Sequence, residues 1–177
     1  MVECSKTHDI VPAAGVILFR RHPPVSSIEF LLIQSRSGKF GAPKGHVEKL
    51  ETVFEAAIRE TFEETGLKEG DDFRVIPDFN CNVRYEVNNT RDGQKIKDIT
   101  LWLGEVINRN CQVTTSSEHR GYKWVQLDEV IFCLGERPGF KDYISSFEKC
   151  VKKINSMLSI LLDYKDKNII YCFFRTK

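Results

Sequence analysis

Between Thr52 and Gly66 the chain carries a full set of helix instructions, and this segment constrains the fold more than any other. Thr52 suits an N-cap, and Glu55 three residues later completes a capping box. Val53, Ala56, Ala57 and then Glu60 or Thr61 recur at helical spacing, and Gly66 stands where a helix should stop. A helix is therefore predicted from Thr52 to Thr65. It brings Glu60, Glu63 and Glu64, at i, i+3 and i+4, to one face. Like charges this close weaken a helix by a few tenths of a kcal/mol per pair, about 0.2–0.5. A hard divalent cation with oxygen ligands would turn that repulsion into binding. A glutamate-rich helix is by itself an ordinary solvated surface, so the residues before it matter. Arg59 can pair with Glu51 or Glu55, and Lys44 lies just before Gly45.

The flanking sequence predicts a sheet around this helix. The apolar runs Ala13 to Phe19 and Ile28 to Ile33, joined by a Pro-containing loop, read as neighbouring strands. Phe40 to Leu50 reads as a loop. Further strands are expected at Phe73 to Ile76, Cys81 to Val87, Thr100 to Val106 and Tyr122 to Gln126, with Asn88 to Asp98 as a hairpin tip. Phe140 to Ile154 has the spacing of an amphipathic helix. Met157 to Leu162 could prolong it, while Ile169 to Phe174 is β-like. Strands interleaved with two helices give an α/β (α+β) sandwich, as one domain over residues 1–154 and a C-terminal extension over 155–177.

Composition narrows the function classes. A chain of 177 residues suits one compact domain. Lys plus Arg (26) nearly cancel Asp plus Glu (25), leaving +1, so no global basic field exists to hold a long nucleic acid. A polyanionic substrate would need local cations or bound metal. No stretch has the roughly 18 uninterrupted apolar residues of a spanning helix, and the N-terminus lacks the apolar run of a signal peptide. The six cysteines form no C-x-x-C pair and are expected to be reduced thiols. The chain is expected to be a cytoplasmic, soluble monomer with no membrane partner.

The stretch GHVEKLETVFEAAIRETFEETGL, residues 45–67, resembles the Nudix box, G-x5-E-x7-R-E-U-x-E-E-x-G-U with U a bulky aliphatic residue. Gly45, Glu51, Arg59, Glu60, Glu63, Glu64, Gly66 and Leu67 match in register; Thr61 departs, standing where the pattern wants an aliphatic side chain. The resemblance implies a loop–helix–loop packed on a mixed β-sheet lying between helices. It also implies that Glu60, Glu63 and Glu64 hold Mg²⁺ or Mn²⁺, with the Gly45 carbonyl, and that Glu51, Arg59 and Gly66 serve the structure of the motif. The chemistry implied is metal-assisted attack of water on a phosphorus centre.

The residues around the box are more specific. Ala42-Pro43-Lys44-Gly45-His46-Val47-Glu48 is similar to the PPKGHVE signature of animal-type asymmetrical diadenosine tetraphosphate hydrolases, a group in which Thr often stands at the position of Thr61. That likeness implies phosphate contacts from Lys44 and His46, a catalytic or metal-binding role for Glu118, and stacking of a nucleobase on Tyr85 and Phe140. The partner implied is a dinucleoside polyphosphate, cut asymmetrically to ATP and AMP. Two departures bear on the loop: Lys49-Leu50 stands where the group has Pro-Gly, and Phe40 where it commonly has Trp. The alternatives are a Nudix hydrolase of diphosphoinositol polyphosphates or RNA 5′ ends, and a non-catalytic nucleotide-binding Nudix module.

Overall fold

The computed structural model describes residues 9–22, 27–89 and 93–173. Its centre is β1 (Asp9–His22), whose apolar run is buried on both faces because successive side chains enter two different cores. Ala13, Ile17 and Phe19 face one side, and Ala14, Val16 and Leu18 the other. The neighbouring strand β2 (Ser27–Ser35) alternates in the same way, sending Phe30 and Leu32 to the first core and Leu31 and Ile33 to the second.

β1 and β2 pair antiparallel with Phe19 opposite Phe30, as the two apolar runs predicted. On its other side β1 runs parallel to β6 (Gly93–Val106), with Ala13 opposite Ile99, and β6 pairs antiparallel with β5 (Phe73–Asn89). The sheet is therefore mixed, in the order β3-β2-β1-β6-β5. Short strands β3 (Phe40–Gly41) and β4 (Lys44–His46) pair with β2 and β1, and β7 (His119–Val125) pairs with β2. The predicted loop over Phe40 to Leu50 thus contains two strand fragments. Their Gly, Pro and charge content hid them, since they are held by backbone pairing rather than by an alternating apolar pattern. The two strands expected at 73–76 and 81–87 are one strand interrupted by a register shift between Val75 and Asn80, where Asp78 takes a positive φ of 56°. The tip of the β5–β6 hairpin, residues 90–92, lies outside the described residues.

Helices cover both faces. Helix α1 (Val53–Thr65) lies on one and buries Ala56, Ala57, Thr61 and Thr65 against the core made with β1. Thr52 and Glu55 form the predicted capping box, and Gly66, at φ 73°, ends the helix by donating its N–H to the Phe62 carbonyl at 2.7 Å. Helices α2 (Leu127–Leu134) and α3 (Phe140–Phe173) border the other core, through Val130, Leu134, Tyr143 and Phe147. The sandwich is the expected one, with two corrections. α2 was not anticipated, because eight residues are too few for a clear period. And α3 runs across the boundary expected at 154 and on through Phe173, so Ile169 to Phe173 is helical rather than β-like. No Gly or Pro follows Gly139 before the helix ends, and each residue added to a formed helix gains a hydrogen bond. Among the described residues no helix is long and apolar enough to cross a membrane, and Cys81, Cys111, Cys133 and Cys150 are free thiols.

Candidate active site

Pairing of β4 with β1, with Lys44 opposite Gly15 and Gly45 opposite Ala14, sets the backbone of the Lys44–His46 segment beside α1. Here Gly45 has a steric reason to be glycine. A Cβ on it would lie 2.0–2.1 Å from the Glu60 carboxylate, so that carboxylate rests directly on the Gly45 backbone. Glu64, one turn on, accepts a hydrogen bond from the Lys44 backbone N–H at 3.0 Å, and its other oxygen lies 3.4 Å from His119 Nε2. His119 Nδ1 is 3.0 Å from Ser116 Oγ. A neutral ring protonated on Nε2 satisfies both contacts, with the serine hydroxyl donating to Nδ1. Burial lowers the His119 pKa and Lys44 lowers it further, against the opposing pull of Glu118, so the surroundings favour the neutral ring.

Arg59 gathers the remaining carboxylates. Its Nε and Nη2 donate to the two oxygens of Glu51 at 3.0 and 2.7 Å, and Nη1 donates to Glu60 at 2.9 Å and Glu63 at 3.1 Å. Nη2 also donates to the His46 carbonyl at 3.0 Å, and Glu51 accepts the Glu48 N–H at 2.7 Å. Of the two partners that the sequence allowed, Arg59 thus takes Glu51, while Glu55 is held in the capping box.

Two cavities meet at Lys44 and Glu64. One, of about 340 Å³, is lined by Lys44, Gly45, His46, Glu60, Glu64 and Glu118, together with Lys97 from β6. The other, of about 210 Å³, adds His119, Tyr85, Tyr143, Arg137 and the Phe40–Gly41 strand. The first therefore brings together six of the residues singled out in the sequence. Glu63 is apart from them: its side chain is 54% exposed against 15% for Glu60 and 16% for Glu64, and it lines neither cavity. Helical geometry turns neighbouring residues by about 100°, so Glu63 cannot point where Glu64 does. Phe140 is apart as well, packed against the core at the start of α3 and lining a separate depression with Arg84 and Asp142. Phe40 packs partly buried, with the Lys123 ammonium 5.1 Å from its ring centre. Lys97, His119 and Arg137 were missed. Lys97 sits in a charged strand without a motif, and His119 was overlooked beside Glu118.

Burial dominates the electrostatics. It pushes the Glu64 carboxyl up to about 7, with Glu60 and Glu118 adding to the effect, while Lys44 opposes it. Burial also lowers the pKa of Lys44 and, to the same sign, of His46. Among the described residues no three His, Cys, Asp or Glu side chains form a ready-made ligand cluster; Glu60 is held by Arg59 and Glu64 by the Lys44 amide and His119. The donor set nevertheless suits a hard cation. Glu60, Glu64, Glu118 and the Gly45 carbonyl are all oxygen donors, and a dication would relieve the burial that raises the Glu64 pKa.

Comparison with known proteins identifies the family. The model of the NUDIX domain matches residues 9–147. The chain is 41% identical over 123 residues to the mouse bis(5′-nucleosyl)-tetraphosphatase [asymmetrical], covering 66% of this chain and 80% of that one. It is 33% identical over 124 residues to the Caenorhabditis elegans protein of the same name, covering 69% and 83%. A crystal structure of a C. elegans Ap4A hydrolase binary complex superimposes with a TM-score of 0.66 at 29% identity, over 84% of this chain and 98% of that one. With the box residues in register and the same mixed sheet between helices, the chain belongs to the Nudix family of hydrolases.

Proposed function

We propose that the chain hydrolyses diadenosine tetraphosphate asymmetrically, to ATP and AMP, in a reaction that needs Mg²⁺ or Mn²⁺. The observation that carries this reading is the meeting of two cavities at Lys44 and Glu64: a carboxylate-rich one for cation and phosphates, and one walled by Tyr85 for a nucleoside. The curated relatives named for this reaction support the choice of substrate.

In this reading Glu60, Glu64 and Glu118, with the Gly45 carbonyl, hold the cation. When bound, it neutralises phosphate charge and lowers the pKa of an attacking water. Burial, which raises the Glu64 pKa to about 7 without a cation, gives this carboxylate a strong reason to take one. Lys44, His46 and Lys97 face the same cavity and contact phosphate oxygens. Glu63 acts through Arg59, as part of the clasp that orients Glu60. Tyr85, which lines the second cavity and is held closely by the Gly139 backbone, where a Cβ would come within 2.6 Å of its Cδ1, is the ring on which a base stacks. Phe140 remains the first core residue of α3. Residues 155–177 lie beyond the family match, with Met157 and Leu158 still packed against the core.

Product analysis tests the proposal: incubation with diadenosine tetraphosphate and Mg²⁺, with EDTA as control. Metal-dependent ATP and AMP in equal amounts are expected. Two ADP would keep a hydrolase but discard the asymmetric cut. No turnover would turn attention to diphosphoinositol polyphosphates, RNA 5′ ends or a binding role.

A further inference from the structure

The short loop between α2 and α3 carries Arg137, half-buried and facing the Tyr85 cavity. Its Nε and Nη2 both donate to the Leu134 carbonyl at the C-terminal end of α2, and the Tyr143 ring centre lies 5.8 Å from the guanidinium carbon. These contacts fix the plane of the group and leave Nη1 without a partner among the described residues. Nη1 is turned toward Gly41 on β3. The point that a Cβ on Gly41 would occupy is 3.7 Å from Arg137 Nη1 and 3.9 Å from Lys44 Nζ. Two cationic groups thus converge on one small space that is open because residue 41 has no side chain.

Among the described residues Arg137 makes no ion pair, and Glu64 is the single carboxylate lining this cavity. Glu64 is already engaged by the Lys44 amide and His119. A half-buried guanidinium without a counter-charge is costly unless an anion arrives. Burial lowers the pKa of Lys44 and Arg137 alike, although Glu64 and Glu60 oppose it at Lys44. The planar fork of arginine matches phosphate oxygens.

We propose that Arg137 and Lys44, converging over Gly41, form a phosphate subsite on the Tyr85 side of the carboxylate cluster. This rests on the polyphosphate reading above for the identity of the ligand. The subsite takes a phosphate of the substrate chain that the carboxylate end does not reach. It therefore favours long polyphosphates, because a shorter chain cannot fill both ends at once.

Three variants test it. Arg137→Gln removes the charge, Arg137→Lys keeps it, and Gly41→Ala fills the space at ordinary van der Waals distance without a conflict of backbone. Calorimetry with inorganic tripolyphosphate in EDTA isolates the subsite from any metal. Losing a charge-assisted hydrogen bond should weaken binding about tenfold in Arg137→Gln and Gly41→Ala, with Arg137→Lys in between. In turnover, KM for diadenosine tetraphosphate should rise about tenfold while kcat changes less than about threefold, and the preference over diadenosine triphosphate should narrow. If Arg137→Gln fails to fold for want of its bond to Leu134, Gly41→Ala and Arg137→Lys decide. Tripolyphosphate binding that is absent in the unaltered chain, or equal in all folded variants, overturns the subsite. Absence of diadenosine tetraphosphate turnover by the unaltered chain would sink the function proposed above, while the calorimetry would still judge the subsite.

Discussion

Arg59 grips Glu51 with two parallel hydrogen bonds of 3.0 and 2.7 Å, and the same guanidinium reaches Glu60 at 2.9 Å. A carboxylate in the loop before α1 is thereby tied to a carboxylate on its cavity face. The fork matters as much as the charge, since Glu51, Glu60, Glu63 and the His46 carbonyl are all served by one planar group. Hydrogen bonding to Arg59 holds the Glu51 carboxyl below its ordinary range.

Arg59→Lys should therefore not be conservative. A lysine keeps the charge but loses the two-pronged grip, so Glu60 is no longer held against Gly45. We expect a stability loss of about 1–2 kcal/mol, the size of a charge-assisted hydrogen bond in a partly exposed setting, and a larger loss of metal affinity. Urea unfolding in EDTA and a Mg²⁺ titration would separate the two. Unchanged metal affinity would count against the orienting role.

The carboxylates should differ among themselves. Glu60→Gln and Glu64→Gln should lower turnover by orders of magnitude with the fold intact. Glu63→Gln should cost far less, because that side chain is 54% exposed and touches only Arg59 among the groups of the site. Glu118→Gln should fall between them, since its exposed loop carboxylate lines the cavity with Glu60 and Glu64. Steady-state rates with circular dichroism as the folding control would test the order, and near-normal rates for both Glu60→Gln and Glu64→Gln would sink the metal assignment.

Leu50 is a place where the sequence can be improved. It stands at φ 75°, the left-handed region, with its side chain fully in solvent. A non-glycine residue pays about 1–2 kcal/mol there, with no packing to compensate. The resemblance noted above has Gly at this position, and the loop keeps the conformation that glycine would favour. Leu50→Gly should raise stability by about 0.5–1 kcal/mol, after allowance for the greater freedom of glycine in the unfolded chain. A lower melting temperature would show that the exposed leucine contributes something the contacts do not reveal.

Metal binding should stabilise the protein more at higher pH. The Glu64 carboxyl has its folded pKa raised from 4.5 to about 7 by burial. A raised carboxylate pKa means that the protonated form is favoured in the folded state. Without metal, ionising Glu64 therefore erodes stability as pH rises from 4.5 toward about 7. A bound dication replaces the proton and removes that penalty. The Mg²⁺-induced rise in melting temperature should grow between pH 5 and pH 8, and the growth should be reduced in Glu64→Gln. A pH-independent metal effect would exclude Glu64 as a ligand.

What could be read in the sequence follows from which interactions are local. Helix α1 was legible to the residue because Thr52, Glu55 and Gly66 act on their own neighbours. Thr61 looked like a misfit in an aliphatic position, yet it is buried with its hydroxyl donating to the Ala57 carbonyl at 2.7 Å, another local solution. The strands β3 and β4 were not legible, since pairing with β2 and β1 rather than their own residues makes them strands. The same holds for the site. The carboxylates announce themselves by spacing along one helix, whereas Lys97 and Arg137 reach Lys44 from β6 and the α2–α3 loop through tertiary structure alone. Phe140 and Tyr85 looked alike as aromatic candidates, and both pack against the same core; the fold alone decides that Tyr85 also lines the cavity at Lys44 while Phe140 lines another depression.

The Tyr85 wall depends on a residue that lines neither of the two cavities meeting at Lys44. Gly139, at φ 74°, packs closely against the ring, with Tyr85 Cδ1 only 2.6 Å and Cγ 3.2 Å from where a Cβ would stand. Gly139→Ala must therefore strain the backbone and push the ring off its support, because neither atom belongs to a freely mobile chain end. We expect a stability loss of about 1–2 kcal/mol, and a KM for diadenosine tetraphosphate raised as the ring leaves its stacking position. Tyr85→Ala removes the platform directly, and a base–aromatic stack of about 1–3 kcal/mol makes its KM rise at least about fivefold. Tyr85→Phe keeps the ring and should leave KM near its original value. If Tyr85→Ala bound and turned over the substrate normally while Gly139→Ala lost only stability, Tyr85 would be a packing residue and the nucleoside would have to lie elsewhere.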